Sequence, residues 1–350
     1  MIETLLQVAI KHQASDLHLR AGMPPLIRVH GRLRPLPEND GTASDTEALL
    51  KILTAAQRQH FEQQHDLDFA YELPGVGRFR ANFLQQRQGI GAVFRVIPSH
   101  IPSLEELALP QAVFNLVRLE QGLVLVTGPT GSGKSTTLAA MIDHINQEYD
   151  KHIVTIEDPL EFIHPNKTSL VTQREVGTHT SSFAAALRAA LREDPDIILI
   201  GELRDLETIA LAMTAAETGH VVFGTLHTRT AASTVDRLID AFPPDQQGQI
   251  RTMLAETLKG VIAQQLLAGA DCQGRVAAVE MLMGTTALSN LIREGKTYQI
   301  PSIIQTGRRE GMQTMDQAIL ELLRAKRITP QEAYRKAIDK ETYRQYLERL

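Results

Sequence analysis

The stretch Gly128-Pro129-Thr130-Gly131-Ser132-Gly133-Lys134-Ser135 constrains the fold more than any other, because its glycines force a tight loop between two elements of different period. Before it, Leu123-Val124-Leu125-Val126 is a short apolar, β-branched run that reads as a strand. After it, Leu138, Met141, Ile142 and Ile145 recur at helical spacing. The loop fills every fixed position of the G-x-x-x-x-G-K-[S/T] pattern. In such a loop Gly128, Pro129, Thr130, Gly131, Ser132 and Gly133 can turn backbone N–H groups inward around a β-phosphate. Lys134 can bridge β- and γ-oxygens, Ser135 can reach Mg²⁺, and Thr136 completes the set of expected nucleotide-binding residues. A nucleoside triphosphate with Mg²⁺ is the expected ligand.

At 350 residues, 43% hydrophobic and 22% charged, the chain is long enough for two folded domains. A net charge of −5 gives no global basic field, and 5% aromatics with no tryptophan leaves few stacking platforms. A dedicated nucleic-acid motor is therefore disfavoured, and nucleic acid is not an expected partner. Cys272 is the only cysteine, which excludes an intrachain disulfide and a Cys₄ zinc site and suits a reducing, cytoplasmic setting. The start of the chain reads as an amphipathic helix, and no run of about 18 apolar residues follows, so no direct membrane insertion is expected.

The predicted fold class is α/β in two parts. Residues 1–97 form a small α/β domain, with a helical face at Ile2, Leu5, Leu6, Ala9 and Ile10 and strands at Asp16–Leu19 and Leu26–His30. In Arg78–Phe83 the alternation puts Phe79, Ala81 and Phe83 on one face and Arg78, Arg80 and Asn82 on the other. A turn at Gly89-Ile90-Gly91 then leads to a strand at Ala92–Ile97. Pro98, Pro102 and Pro110 mark a linker over 98–110. Residues 111–350 form the second domain. Its strands at Leu123–Val126, Ile153–Ile156, Ile197–Ile200 and Val221–Leu226 alternate with helices, which predicts a parallel sheet covered on both faces. Beyond Ala231 the reading is mostly helical, with one strand at Val276–Met283 and C-terminal helices over about 285–350.

Ligands of open parallel sheets sit beyond the carboxyl ends of the strands. Lys134, Glu157-Asp158, Glu202 and His227 follow the four strands in turn. Glu202 is the expected water-activating carboxylate, and Glu157 is a rival base. Because Gly201 stands where an aspartate would normally face the metal, Ser135 takes the direct Mg²⁺ contact, with Glu157 or Asp158 completing the shell through water. His227, and more weakly His220, can polarise the γ-phosphate. Arg204 and Asp205 read as structural, with Asp205 capping the helix that carries Leu206, Ile209, Ala210 and Met213. No cationic finger is evident in the second domain. Arg80 and Arg95 in the first are the expected donors, and such a finger is worth about 10³ to 10⁵ in rate.

In order and wording, Gly128–Thr137, Thr155–Glu161, Asp194–Asp205 and Thr218–Thr228 resemble the Walker A motif, Asp box, atypical Walker B motif and His box of the secretion ATPase superfamily. Ala14–Leu19 and Ala287–Glu294, followed by Gly295–Ile300, resemble its PilT branch, the type IV pilus retraction ATPases. The resemblance covers nearly the whole chain. It implies ATP as the substrate and a homohexamer in which each RecA-like domain packs against a neighbour's PAS-like N-terminal domain. It further implies a cytoplasmic position at the inner face of the inner membrane, at the pilus base, where pilins are removed from the pilus. An inner-membrane platform protein, and a paralogous ATPase, would be the partners. Arg80 and Arg95 match basic positions of the family. In the motif at Ala287–Glu294, Ser289 replaces an arginine, which bears on retraction strength more than on ATPase activity. The alternative that the resemblance allows is an accessory or secretion/pilus-assembly ATPase paralogue acting on a partner motor.

Overall fold

In the computed structural model, residues 2–29, 31–37, 47–98, 100–270 and 274–347 are described. His30, at the end of the expected strand Leu26–His30, and Cys272 lie outside them. The chain divides into two compact units, Met1–His100 and Ile101–Leu350.

The first unit contains α1 (Ile2–Lys11), β1 (Asp16–Arg20), β2 (Leu26–Val29), β3 (Arg32–Pro35), α2 (Ala55–Gln64), β4 (Asp66–Leu73), β5 (Gly77–Gln86) and β6 (Gly89–Ile97). Among the described residues, six strands pair antiparallel in the order β3-β2-β1-β6-β5-β4. Strict alternation makes the sheet two-faced. Phe79, Ala81 and Phe83 are fully buried, together with Leu17 and Phe94, while Arg80 and Asn82 point to the other side. The reversal between β5 and β6 lies at Arg87-Gln88, with Gln86 paired to Gly89, so Gly89–Gly91 is strand rather than the expected turn. Phe94 and Val93 continue the pairing begun at Gly89, and that ladder outweighs the turn preference of two glycines.

The second unit runs through α3 (Ala112–Leu116), β7 (Gly122–Thr127), α4 (Lys134–Glu148), β8 (His152–Glu157), β9 (Leu170–Glu175), α5 (Phe183–Ala190), β10 (Ile197–Ile200), α6 (Leu206–Glu217) and β11 (Val221–Leu226). It continues with α7 (Ala231–Asp240), α8 (Gln247–Thr257), β12 (Leu258–Ala268), β13 (Arg275–Met283), α9 (Thr286–Arg293), α10 (Ile300–Thr306), α11 (Met315–Arg324), α12 (Pro330–Lys336) and α13 (Glu341–Leu347). The sheet order is β13-β12-β7-β11-β10-β8-β9, parallel throughout except for the β12–β13 pair.

The four anticipated strands are the four central ones, and each is apolar on both faces because helices cover both. Leu123, Leu125, Ile198, Ile200 and Val222 pack with Ile209, Met213 and Leu254 on one side. Val124, Val126, Ile197, Leu199 and Phe223 pack with Leu138, Met141 and Ile145 on the other. Each such fully buried side chain contributes roughly 1.5–3 kcal/mol. Two strands were not anticipated. β9 is half-exposed and polar, and β12 carries a Gln264-Gln265 pair and several good helix formers where the reading was helical. Pairing with β7 on one side and β13 on the other overrides that local preference.

Beyond β13 the chain is helical. Leu288 and Ile292 bury one face of α9. Ser289, at the departure from the family motif, donates its hydroxyl to the Ala255 carbonyl of α8 at 2.6 Å. Arg293 pairs with Glu256 at 3.5 Å and Lys296 with Glu294 at 2.8 Å.

Candidate nucleotide-hydrolysis site

The carboxyl ends of β7, β11, β10 and β8 lie side by side, and the loops leaving them are stitched together. Gly128 N–H donates to the Leu226 carbonyl at 3.3 Å, Leu203 N–H to Thr225 at 3.0 Å, and Gly201 N–H to Ile156 at 2.8 Å. The Thr225 hydroxyl also donates to the Gly201 carbonyl at 2.5 Å. These crossings set Lys134, His227, Glu202 and Glu157 along one sheet edge.

The loop between β7 and α4 has the shape its glycines permit. Gly128, Gly131 and Gly133 have φ of 144°, 77° and 90°, a region that side chains with a Cβ rarely adopt. At Gly128 the space is filled as well, since a Cβ there would lie 2.2 Å from the Gln264 carbonyl oxygen. The Ser132 hydroxyl is buried and has no hydrogen-bond partner among the described residues. Lys134 is 9% exposed and donates to the Gly128 carbonyl at 2.9 Å and the Pro129 carbonyl at 3.3 Å. Burial holds its ammonium below the ordinary lysine range, and the negative charge of Glu202 works against that shift. A half-stripped cation, an orphaned hydroxyl and a glycine-lined turn suit an oxyanion ligand with several charges.

Glu202 is held from two sides. His227 Nε2 lies 3.2 Å from Oε1, and Arg204 reaches Oε2 at 2.8 Å while also approaching Asp158 at 3.9 Å. Burial alone would lift the Glu202 carboxyl, but the Arg204 guanidinium and the His227 ring outweigh it and keep the group below the usual carboxylate range. Glu157 differs. Its Oε1 accepts from the Thr155 hydroxyl at 2.8 Å and from Gln173 at 3.4 Å, and its Oε2 from Glu161 N–H at 3.3 Å. Burial dominates over those bonds and pushes its carboxyl up to about 7. The same edge thus shifts two neighbouring carboxyls in opposite directions, Glu157 up by burial and Glu202 down by its cationic partners.

Gly201 sits close to β8, where a Cβ would meet the Ile156 carbonyl and Glu157 Cα at 3.3 Å, a tight contact that favours a residue without a side chain. No cluster of three His, Cys, Asp or Glu side chains arranged for a metal occurs among the described residues. Ser135, Glu157 and Asp158 offer oxygen donors only, a set that fits Mg²⁺ completed by phosphate oxygens and water.

His220 does not join this edge. It precedes β11 at the opposite end of the sheet, where its carbonyl accepts from Gly122 N–H and its Nδ1 lies 2.9 Å from the Ala215 carbonyl. Asp205 caps α6 as expected, accepting from Thr208 N–H at 2.8 Å and its hydroxyl at 2.9 Å. Arg204, read from sequence as structural, turns onto Glu202 instead. Its place two residues after Glu202 in an irregular segment was the only available hint. Gln264 was also missed, because β12 was. Below the loop, Thr234 Oγ1 links Thr228 Oγ1 at 2.7 Å to Thr127 Oγ1 at 3.4 Å. Glu280, buried on β13, accepts from Ala231 N–H at the start of α7 at 2.8 Å.

In the first unit, Arg80 and Arg95 face each other across β5 and β6. Arg95 Nε donates to the buried Asp16 at 2.9 Å, with Arg28 3.7 Å from the same carboxylate, and Arg80 approaches Asp68 at 3.8 Å.

Fold and site together define a P-loop nucleotide hydrolase of the RecA-like type. The profile of the Type II/IV secretion system protein family matches residues 1–348, and the chain belongs to that family, within its PilT branch. The Type IV pilus retractation ATPase PilT of Pseudomonas aeruginosa is 52% identical over 337 residues, 96% of this chain and 98% of that protein. The Type IV pilus ATPase PilU of the same organism is 41% identical over 332 residues, 95% of this chain and 87% of that protein. The crystal structure of the pilus retraction motor PilT with bound ADP superimposes with a TM-score of 0.90 at 46% identity, covering 100% of this chain and 99% of that one.

Proposed function

We propose that this protein is an ATPase that drives type IV pilus retraction, removing pilins at the pilus base and so supporting twitching motility. The observation that carries the reading is the juxtaposition of Glu202, held by His227, with the loop that bears Lys134. In the proposed reaction, Gly128–Thr136 cradle the phosphates of ATP, and Lys134 leaves its own loop carbonyls for the β- and γ-oxygens. Ser135, with Glu157 or Asp158, would hold Mg²⁺, which would offset negative charge on the phosphates. Glu202 orients and deprotonates the attacking water, and His227 fixes that carboxylate while facing the γ-phosphoryl. Arg80 and Arg95, from this chain or from the next protomer, are the proposed donors of the cationic finger.

The working assembly in this reading is a homohexamer at the cytoplasmic face of the inner membrane, acting on a platform protein of the pilus base. Among the described residues no helix is long and apolar enough to cross a membrane. A second type IV pilus ATPase, PilU, is also similar to this chain, so the alternative we keep is an accessory or secretion/pilus-assembly ATPase paralogue that acts on a partner motor.

The test is a strain lacking the gene, complemented with wild type or Lys134→Ala. Loss of surface motility with excess pili, restored by wild type alone, is the expected result. Full rescue by Lys134→Ala would exclude an ATP-driven role. Rescue only in the presence of the partner motor would select the accessory reading.

A further inference from the structure

β12 runs parallel to β7 with Ala263 opposite Thr127, so the next residue, Gln264, lies beneath the point where the phosphate loop begins. Its side chain is 3% exposed and hydrogen-bonded at both ends of the amide. Nε2 donates to the Ser132 carbonyl at 2.8 Å, and Oε1 accepts from the Thr137 hydroxyl at 2.8 Å. The orientation of the amide is not arbitrary, because the Ser132 carbonyl can only accept and so requires the nitrogen. Gln264 also fills the room that the loop glycines leave open. A Cβ on Gly133 would lie 2.8 Å from its Nε2, and one on Gly128 would lie 2.2 Å from its backbone oxygen.

A trans peptide holds its C=O and N–H in one plane pointing opposite ways. Anchoring the Ser132 carbonyl on β12 therefore directs the Gly133 N–H away from β12. Without that anchor the Ser132–Gly133 peptide, flanked by a glycine that tolerates either sign of φ, has little to stop it from turning over. We propose that Gln264 is a positioning residue for nucleotide binding, which sets the polarity of the Ser132–Gly133 peptide and preorganises the phosphate nest before nucleotide arrives. This rests on the ATPase reading above and deepens it. Gln264 touches neither water nor γ-phosphoryl in this scheme, so its contribution is equal in ground and transition states. It belongs in KM rather than in kcat.

The experiment compares wild type, Gln264→Met and Thr137→Val for ADP affinity, ADP-induced thermal shift, and steady-state hydrolysis of ATP. Methionine keeps the length of the side chain but cannot donate, so the buried Ser132 carbonyl loses its partner. Gln264→Met should weaken ADP binding and raise KM by about ten- to a hundredfold, with kcat within about threefold of wild type. Thr137→Val leaves the Ser132 contact in place and should weaken ADP binding by less than about fivefold. If Gln264→Met binds ADP as wild type does, or loses kcat at unchanged KM, the assignment is wrong. Should the methionine variant not fold, Gln264→Asn replaces it, since its shorter amide can neither reach Ser132 nor leave the site apolar, and the same criteria apply. A wild type that fails to bind or hydrolyse ATP would overturn the ATPase reading itself, a separate result.

Discussion

His227 Nε2 lies 3.2 Å from Glu202 Oε1, joining the end of β11 to the end of β10 across one strand spacing. Through that contact the imidazole can hold the carboxylate at a fixed angle to the phosphate loop. Replacing His227 with alanine should lower kcat by about 10²-fold while ADP binding stays near wild type. His227→Gln, which retains a donor, should recover part of that loss. Single-turnover phosphate release checks both, and an unchanged rate in His227→Ala would remove it from the mechanism.

Lys134 and Glu202 should separate binding from chemistry. Lys134→Ala removes the charge facing the β- and γ-phosphates and should abolish turnover and reduce ATP retention. Glu202→Gln keeps the shape, and should slow hydrolysis by about 10² to 10⁴ with ATP still bound. Equilibrium binding beside a phosphate-release assay distinguishes the two, and wild-type turnover in Glu202→Gln would reassign the base.

Glu157 makes a prediction of opposite sign for stability. Its folded carboxyl is raised to about 7 by burial, above the unfolded value of 4.5, so between those pH values the native state holds a proton that the unfolded chain has lost. Stability therefore falls as pH rises through that window. Glu157→Gln removes the cost of ionisation and should stabilise the nucleotide-free protein at pH 8 by up to about 3 kcal/mol, with little change at pH 4.5. Thermal melts at the two pH values test it. An equal effect at both would mean that the carboxyl titrates normally.

Asp205 carries two hydrogen bonds to Thr208 at the start of α6. Asp205→Ala should cost about 1 kcal/mol of stability and leave kcat within about twofold, since the residue caps a helix and touches no other site group. Urea unfolding monitored by circular dichroism gives the number. A large loss of kcat at full stability would instead place Asp205 in the chemistry.

Much of the site was legible in the sequence because strand-end residues in a parallel sheet are adjacent in space whenever their strands are adjacent. Reading Glu157, Glu202 and His227 off the ends of three apolar runs needed only the alternation of strand and helix. Arg204 was not legible. Its side chain turns onto Glu202 in an irregular segment whose backbone is tied to β11 by the Leu203–Thr225 hydrogen bond, a contact between segments more than twenty residues apart in the chain. His220 is the opposite case, since the strand Val221–Leu226 that separates it from His227 already places it at the far end of the sheet.

What the amino-acid sequence determined alone is local: the glycines that let the loop at 128–133 take positive φ, the apolar runs that must be buried on both faces, and the cap at Asp205. Only the tertiary structure decided that Leu258–Ala268 is a strand rather than a helix, because the hydrogen bonds that make it one belong to β7 and β13 and not to its own residues. Once that strand is in place, Gln264 lies under the phosphate loop, a position that no local pattern encodes.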